Sequence, residues 1–265
     1  MNVGLIVRVL GNETAYRFDP FLMLDAFDSH NPDNYIKGFP MHPHRGIETL
    51  TYLIKGRIDH EDSLGNKGTI SNGESQWMTG GSGILHQEMP QPTEHLLGLQ
   101  LWINLPKNEK MTEPKYFDIT KEMIPEVHEE QLTIRVIAGK YKEYEGVTGH
   151  HIATRMLDIE MKPDSEFLLK TDPKATVFVY TVEGEGYFDD DKKAAIIPNK
   201  VAVLFDKNEE FYAKAGNDGM RFIFFEARPL GDPIAWGGPI VMNTREEVLE
   251  AFDELSHDTF IKNND

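Results

Sequence analysis

The chain has 265 residues, 40% of them apolar, with 15 Phe, 9 Tyr and 3 Trp; that is enough for one large or two ordinary domains around a substantial core. Its 27 basic and 44 acidic residues leave a net charge of −17, which repels phosphate backbones and anionic bilayers and argues against direct nucleic-acid or membrane binding. There is no cysteine, so disulfides, thiolate metal sites and cysteine nucleophiles are excluded together.

From the N-terminus, Met1 to Arg8 holds an apolar stretch too short for the core of a signal peptide. No run approaches the roughly 18 apolar residues that span a bilayer, and a cytoplasmic location is expected. Short runs rich in β-branched and aromatic residues follow, such as Thr49–Ile54 and Gly98–Ile103, separated by turn signals like Leu64-Gly65-Asn66-Lys67-Gly68 and Ser71-Asn72-Gly73. Lys107 to Gln131 is charged and punctuated by Glu113-Pro114 and Ile124-Pro125, and reads as a connector. Strand-like runs resume at Ala175–Tyr180 and Arg221–Phe225. Thr244 to Leu255 differs: Val248, Leu249, Phe252 and Leu255 have helical spacing, and Thr244 with Glu247 forms a capping box.

The two halves echo each other. Tyr52-Leu53-Ile54-Lys55-Gly56 matches Tyr180-Thr181-Val182-Glu183-Gly184, Ile70-Ser71-Asn72 matches Ile197-Pro198-Asn199, and the strand ending Asn104-Leu105-Pro106 matches the one ending Ala227-Arg228-Pro229. Three matches in the same order argue for two copies of one β-unit. The expected fold is all-β, with two β-barrels over 1–125 and 126–265, the second carrying the C-terminal helix.

Two short motifs carry the chemistry: His42-Pro43-His44 and His86-Gln87-Glu88. Spacing i, i+2 on a strand puts both side chains on one face. Two such strands facing each other would offer three imidazoles and one carboxylate to a common point. Gly80-Gly81-Ser82-Gly83 permits a tight turn into the second motif. A nitrogen and oxygen donor set without sulfur suits divalent Fe, Mn, Co, Ni, Cu or Zn. Glu48, inward-facing if Gly46 does not bulge the strand, is an alternative carboxylate. His60, beside Glu61 and Asp62, reads as a solvated turn, and His30 and His95 lack the spacing of a site. Trp77, Met78 and Trp102 lie near the ligand strands and read as core or pocket lining.

At these residues the chain resembles the pirin family of the cupin superfamily. The resemblance is densest at Asp19–Asp25, Gly38–Thr49, Gln76–Thr79, Gly83–Pro90 and Leu99–Leu105, with Gly238–Thr244 near the end. It implies a bicupin, two double-stranded β-helix barrels, with a metal in the first. Carried over residue by residue, the family's ligands fall on His42, His44, His86 and Glu88; the general cupin pattern would instead use Glu48. Fe(II) is the first choice of metal. The second barrel has no equivalent, since the matching positions hold Lys170, Asp172 and Glu209 to Ala213. Similar proteins cleave flavonols such as quercetin with O2 and release carbon monoxide, which would give Glu88 a second role as proton acceptor. Others resembling this chain are metal- or redox-dependent regulators that bind a protein partner.

Overall fold

Alternating and wholly apolar strand runs dominate the structure, a computed structural model that describes residues 6–191 and 194–262. Residues 1–5, on which the reading of the N-terminal apolar stretch partly rests, lie outside the described residues. The chain divides into two compact units, residues 1–121 with 230–265, and residues 122–229.

The first unit contains β1 (Ile6–Leu10), β2 (Phe21–Ser29), β3 (Phe39–His44), β4 (Ile47–Lys55), β5 (Ile58–Asp62), β6 (Lys67–Ile70), β7 (Ser75–Thr79), β8 (Ile84–Pro90), β9 (Leu96–Asn104) and β10 (Lys115–Ile119). They form two antiparallel sheets, ordered β1-β2-β9-β4-β7-β10 and β3-β8-β5-β6. β4 lies inside the larger sheet, and Ile47 through Ile54 are buried on both of its faces. Leu50, Tyr52 and Leu53 are fully enclosed, each such side chain contributing roughly 1.5–3 kcal/mol from apolar burial.

The second unit contains β11 (Glu126–His128), β12 (Leu132–Ala138), β13 (Lys140–Tyr141), β14 (Tyr144–Glu145), β15 (Arg155–Met161), β16 (Glu166–Lys170), β17 (Thr176–Tyr187), β18 (Ala202–Leu204) and β19 (Glu210–Ala227). Its main sheet runs β11-β12-β15-β19-β17-β18, with β16 also paired to β19. The core is aromatic: Phe167, Phe211, Phe222 and Phe224 are buried together, with Phe211 and Phe224 edge-to-face at 5.1 Å. The duplication reads through to topology. β4 pairs with β9 in the first unit, and their counterparts β17 and β19 pair in the second.

The tail returns to the first unit as β20 (Ala235–Gly237), β21 (Ile240–Met242) and α1 (Arg245–Ser256). The sequence placed it with the second barrel, at 126–265. The structure ends the first unit's leading part at 121 and packs the tail with that unit: Val241 buries with Leu22, Met23, Ile47 and Trp102, and Arg45 holds Glu254 and the Phe260 carbonyl, while Val248, Ala251 and Phe260 close over Ile240 and Met242. The capping box forms as expected: Thr244 accepts from the Glu247 amide, and Glu247 accepts from the Thr244 amide. No helix among the described residues is long and apolar enough to cross a membrane.

Candidate metal centre

The turn before β8 explains why glycines precede the second motif. Gly81 sits at φ +47°, and a Cβ there would lie 2.2 Å from the Thr112 carbonyl oxygen. β8 then runs between β3 and β5. His42 is paired directly with His86 across β3 and β8. The two motifs are thus hydrogen-bonded neighbours in one sheet, whereas the spacing alone suggested facing strands. A register shift between Phe39 and His42 aligns them.

His42, His44 and His86 each bring a ring nitrogen to within 4.8 Å of the others. Ring centroids are 4.3 Å apart for His42–His86, 4.8 Å for His42–His44 and 4.9 Å for His44–His86. His44 and His86 are buried and His42 is half-buried, so solvent reaches the cluster on the His42 side.

The protonation of two rings follows from their neighbours. His42 Nδ1 lies 2.9 Å from the Pro40 carbonyl oxygen, and His44 Nδ1 lies 3.2 Å from that of Pro239. A carbonyl only accepts, so each Nδ1 carries the hydrogen and each Nε2 keeps its lone pair. His44 Nε2 and both nitrogens of His86 are buried without a hydrogen-bond partner. Burial pushes the His44 pKa down to about 3, and the neighbouring His42 also lowers it. Burial, then His44 and His42, pushes His86 well below its usual value. Uncharged imidazoles with convergent, unused lone pairs are donors suited to a divalent metal, and a backbone carbonyl on the opposite nitrogen is a familiar outer-shell anchor.

Glu88 shares the buried face of β8 with His86, but its carboxylate lies outside the group of atoms within 4.8 Å. Gln100 Nε2 donates to its two oxygens at 2.9 and 2.8 Å, and Thr51 Oγ1 donates at 3.2 Å. Trp102 Nε1 donates to Gln100 Oε1 at 3.3 Å, which fixes the amide so that its NH2 faces Glu88. Trp102 also meets His44 edge-on at 5.0 Å. Glu48, the other candidate carboxylate, is buried on β4 and accepts from Thr79 Oγ1 at 2.8 Å; it too lies outside the cluster. Thr51 and Gln100 were not singled out from the sequence, where nothing separates them from ordinary strand polars. Trp77 and Met78 are core residues, 1% and 0% exposed.

His60 departs from its sequence reading. It is a buried strand residue, opposite Glu88 on β5 and β8 and 3.2 Å from Asp118. Alternation turns Asp59 and Glu61 toward solvent and His60 inward.

The tail holds the His44 loop in place. Besides the Pro239 contact, Val241 N donates to Arg45 O at 3.1 Å. The buried Arg45 guanidinium donates to Glu254 at 2.6 Å and to Phe260 O at 2.9 Å, and lies 4.2 Å over the Phe260 ring. Lys110 Nζ donates to Gly46 O, Asn104 Oδ1 and Val241 O, filling all three ammonium donors. Gly46 sits at φ +75°, and a Cβ there would fall 2.0 Å from Val241 O. Loop and strap therefore fit only with glycine at 46.

The second unit holds no comparable cluster among its described residues. One of its cavities, of about 640 Å³, is lined by Phe188, Phe205 and Phe211 with Asp189, Asp206 and Glu210; another, of about 540 Å³, has the single histidine His128 in its lining.

Comparison with known proteins finds the same two-cupin organisation, the second family match running on into the tail. Residues 6–103 match the Pirin family and residues 156–261 the Pirin C-terminal cupin domain. A Pseudomonas aeruginosa protein provisionally named a quercetin 2,3-dioxygenase is 37% identical over 253 residues, covering 93% of this chain and 88% of its own. Human pirin is 37% identical over 246 residues, covering 92% and 83%. A solved structure of quercetin 2,3-dioxygenase from Acinetobacter baumannii superposes with a TM-score of 0.89 at 32% identity, covering 98% of this chain and 93% of that one. The chain belongs to the pirin family of cupin-fold proteins.

Proposed function

We propose that His42, His44 and His86 hold a divalent metal ion, Fe(II) first among the candidates, and that the chain is a dioxygenase that cleaves flavonols such as quercetin with O2 and releases carbon monoxide. The observation that carries this reading is the convergence of three imidazoles, two of which, His44 and His86, hold buried nitrogens that no protein group satisfies. Leaving such nitrogens unpaired costs roughly 1–3 kcal/mol each, a cost a bound metal would remove. When bound, the metal supplies Lewis acidity that lowers the pKa of the flavonol 3-hydroxyl.

The residues around it divide the remaining work. Glu88 accepts the hydroxyl proton and serves as the fourth donor. Gln100 and Thr51 orient its carboxylate by the three bonds they donate. Trp102 keeps the Gln100 amide turned the right way. The aromatic edge of Trp102 beside His44 and the opening at His42 suit a flat, apolar ring system.

The test is oxygen uptake with quercetin by metal-free protein refilled separately with Fe(II), Mn, Co, Ni and Cu. Uptake with carbon monoxide release should depend on the metal and vanish in His42→Ala. Full turnover and full metal content in Glu88→Gln would remove Glu88 from both roles and make Glu48 the next candidate. Metal binding with no uptake under any condition would replace the dioxygenase reading with that of a metal-dependent regulator acting through a protein partner, or of an enzyme for another enolisable molecule.

A further inference from the structure

Asp28, His30 and His95 also place one donor atom each within 4.8 Å of one another. Asp28 is the penultimate residue of β2, His30 follows that strand, and His95 precedes β9. β2 and β9 are paired, with Asp28 opposite Leu97 and Ser29 opposite Leu96, so the ladder itself brings residues 28–30 beside 94–97. His95 Nε2 lies 2.7 Å from Asp28 Oδ1. The His30 ring stacks on His95 with centroids 3.9 Å apart and planes 22° apart. His30 Nδ1 lies 3.0 Å from the Glu94 carbonyl oxygen. That oxygen only accepts, so His30 carries its hydrogen on Nδ1 and keeps a free lone pair on Nε2.

We propose that Asp28, His30 and His95 form a second metal site, distinct from the His42 cluster, that takes a borderline divalent ion such as Zn(II), Ni(II) or Co(II). Two imidazoles and one carboxylate without sulfur match these ions and are poor ligands for Ca(II) or Mg(II), which demand oxygen. Bonds of about 2.1 Å put neighbouring donors roughly 3.0–3.4 Å apart. The Asp28–His95 pair at 2.7 Å needs to open by only a few tenths of an ångström, and the exposed His30 ring is free to swing out of its stack. The ion takes the place of the proton that His95 and Asp28 now share.

The site has a mechanical consequence. The segment after His30 leads into β3 with His42 and His44, and the segment before His95 leaves β8 with His86 and Glu88. These segments already touch: Tyr35 OH donates to the Thr93 carbonyl oxygen at 3.1 Å. An ion held by His30 and His95 staples the two loops that run into the strands of the first cluster. The proposal does not depend on the flavonol reading, since it concerns binding alone.

The deciding experiment is calorimetric titration of the full metal-free chain with Zn(II). The wild type should bind two ions per chain. His30→Ala/His95→Ala should bind one, and so should His42→Ala/His86→Ala; the four substitutions together should bind none. Asp28→Asn should weaken the second binding event while leaving the first unchanged. In the His42→Ala/His86→Ala variant, excess Zn(II) should still raise Tm, a shift that disappears when His30 and His95 are also replaced. Two ions bound by His30→Ala/His95→Ala would overturn the proposal, because the second ion would then sit elsewhere. Complete loss of binding in folded His42→Ala/His86→Ala would overturn it equally.

Discussion

In the first barrel, the buried positions of β3 and β8 carry His44, His86 and Glu88. In the second, β16 and β19 turn Phe167, Leu169, Phe211 and Ala213 inward, and leave Lys170 opposite Glu210 on the outside. Leu169 stands opposite Phe211 in this ladder, much as His42 stands opposite His86 in the other. Similar strand pairs thus enclose either an apolar core or a polar cluster. The second barrel gains apolar burial and aromatic packing throughout its interior. The first gives up part of that gain to keep unsatisfied nitrogens, a trade commonly found where a site must bind something. It offsets the loss with a strap, in which Arg45, Lys110 and the tail lock the loop after His44.

This contrast can be broken from either side. Phe211→Ala should remove roughly 3–5 kcal/mol of stability by leaving a cavity, measured by denaturant unfolding, while the metal content of the first barrel stays at the wild-type level. A parallel loss of metal would show that the barrels are not independent in this respect. His86→Ala should lower metal affinity by more than about a hundredfold, since losing even an outer-shell partner costs roughly 10–100-fold; equilibrium dialysis reads this directly. His86→Leu should move the metal-free protein the other way, stabilising it by about 1–3 kcal/mol as two unpaired nitrogens are replaced by carbon.

Acid should expose the same difference. His44 and His86 have folded-state pKa values below their usual value, His44 at about 3. The unfolded chain therefore takes up protons near pH 6.5 that the folded chain refuses. The stability these groups contribute is fully present above that pH and is lost as pH falls toward 3. The slope is up to about 1.4 kcal/mol per pH unit for each group. Urea midpoints of metal-free protein between pH 7 and 4 check this, and a flat profile would show that the rings protonate in place. The smallest effect belongs to the strap: Arg45→Lys keeps the charge but loses the fork that reaches Glu254 and Phe260. It should weaken metal binding roughly tenfold through His44, as an outer-shell change does.

Much of this architecture is legible in the residues themselves. β-branched and aromatic runs bounded by glycine and asparagine mark strands, and Thr244 with Glu247 marks the helix start. His60 was hidden by its neighbours: Glu61 and Asp62 look like a solvated turn, yet Asp62 spends its carboxylate on the turn amides of Leu64 and Asn66 while His60 points inward. The pairing of His30 with His95 was hidden by distance along the chain, because only the β2–β9 ladder brings them together. Which barrel the tail would join was equally open, since an amphipathic helix states only that it has an apolar face.

The sequence by itself determined which candidate donors share a strand face. An i, i+2 spacing on a strand puts His42 with His44, and His86 with Glu88, on common faces whatever the rest of the chain does, because side chains alternate with a period of two. Tertiary structure decided what those donors could become. The register of β3 against β8 set His42 opposite His86. The Pro239 carbonyl, 195 residues from His44, fixed which nitrogen of that ring keeps its lone pair. Gln100 and Thr51, on other strands, set the hydrogen bonds that the Glu88 carboxylate accepts. Hydrogen-bond partners of this kind are set by non-local packing, which no local spacing encodes.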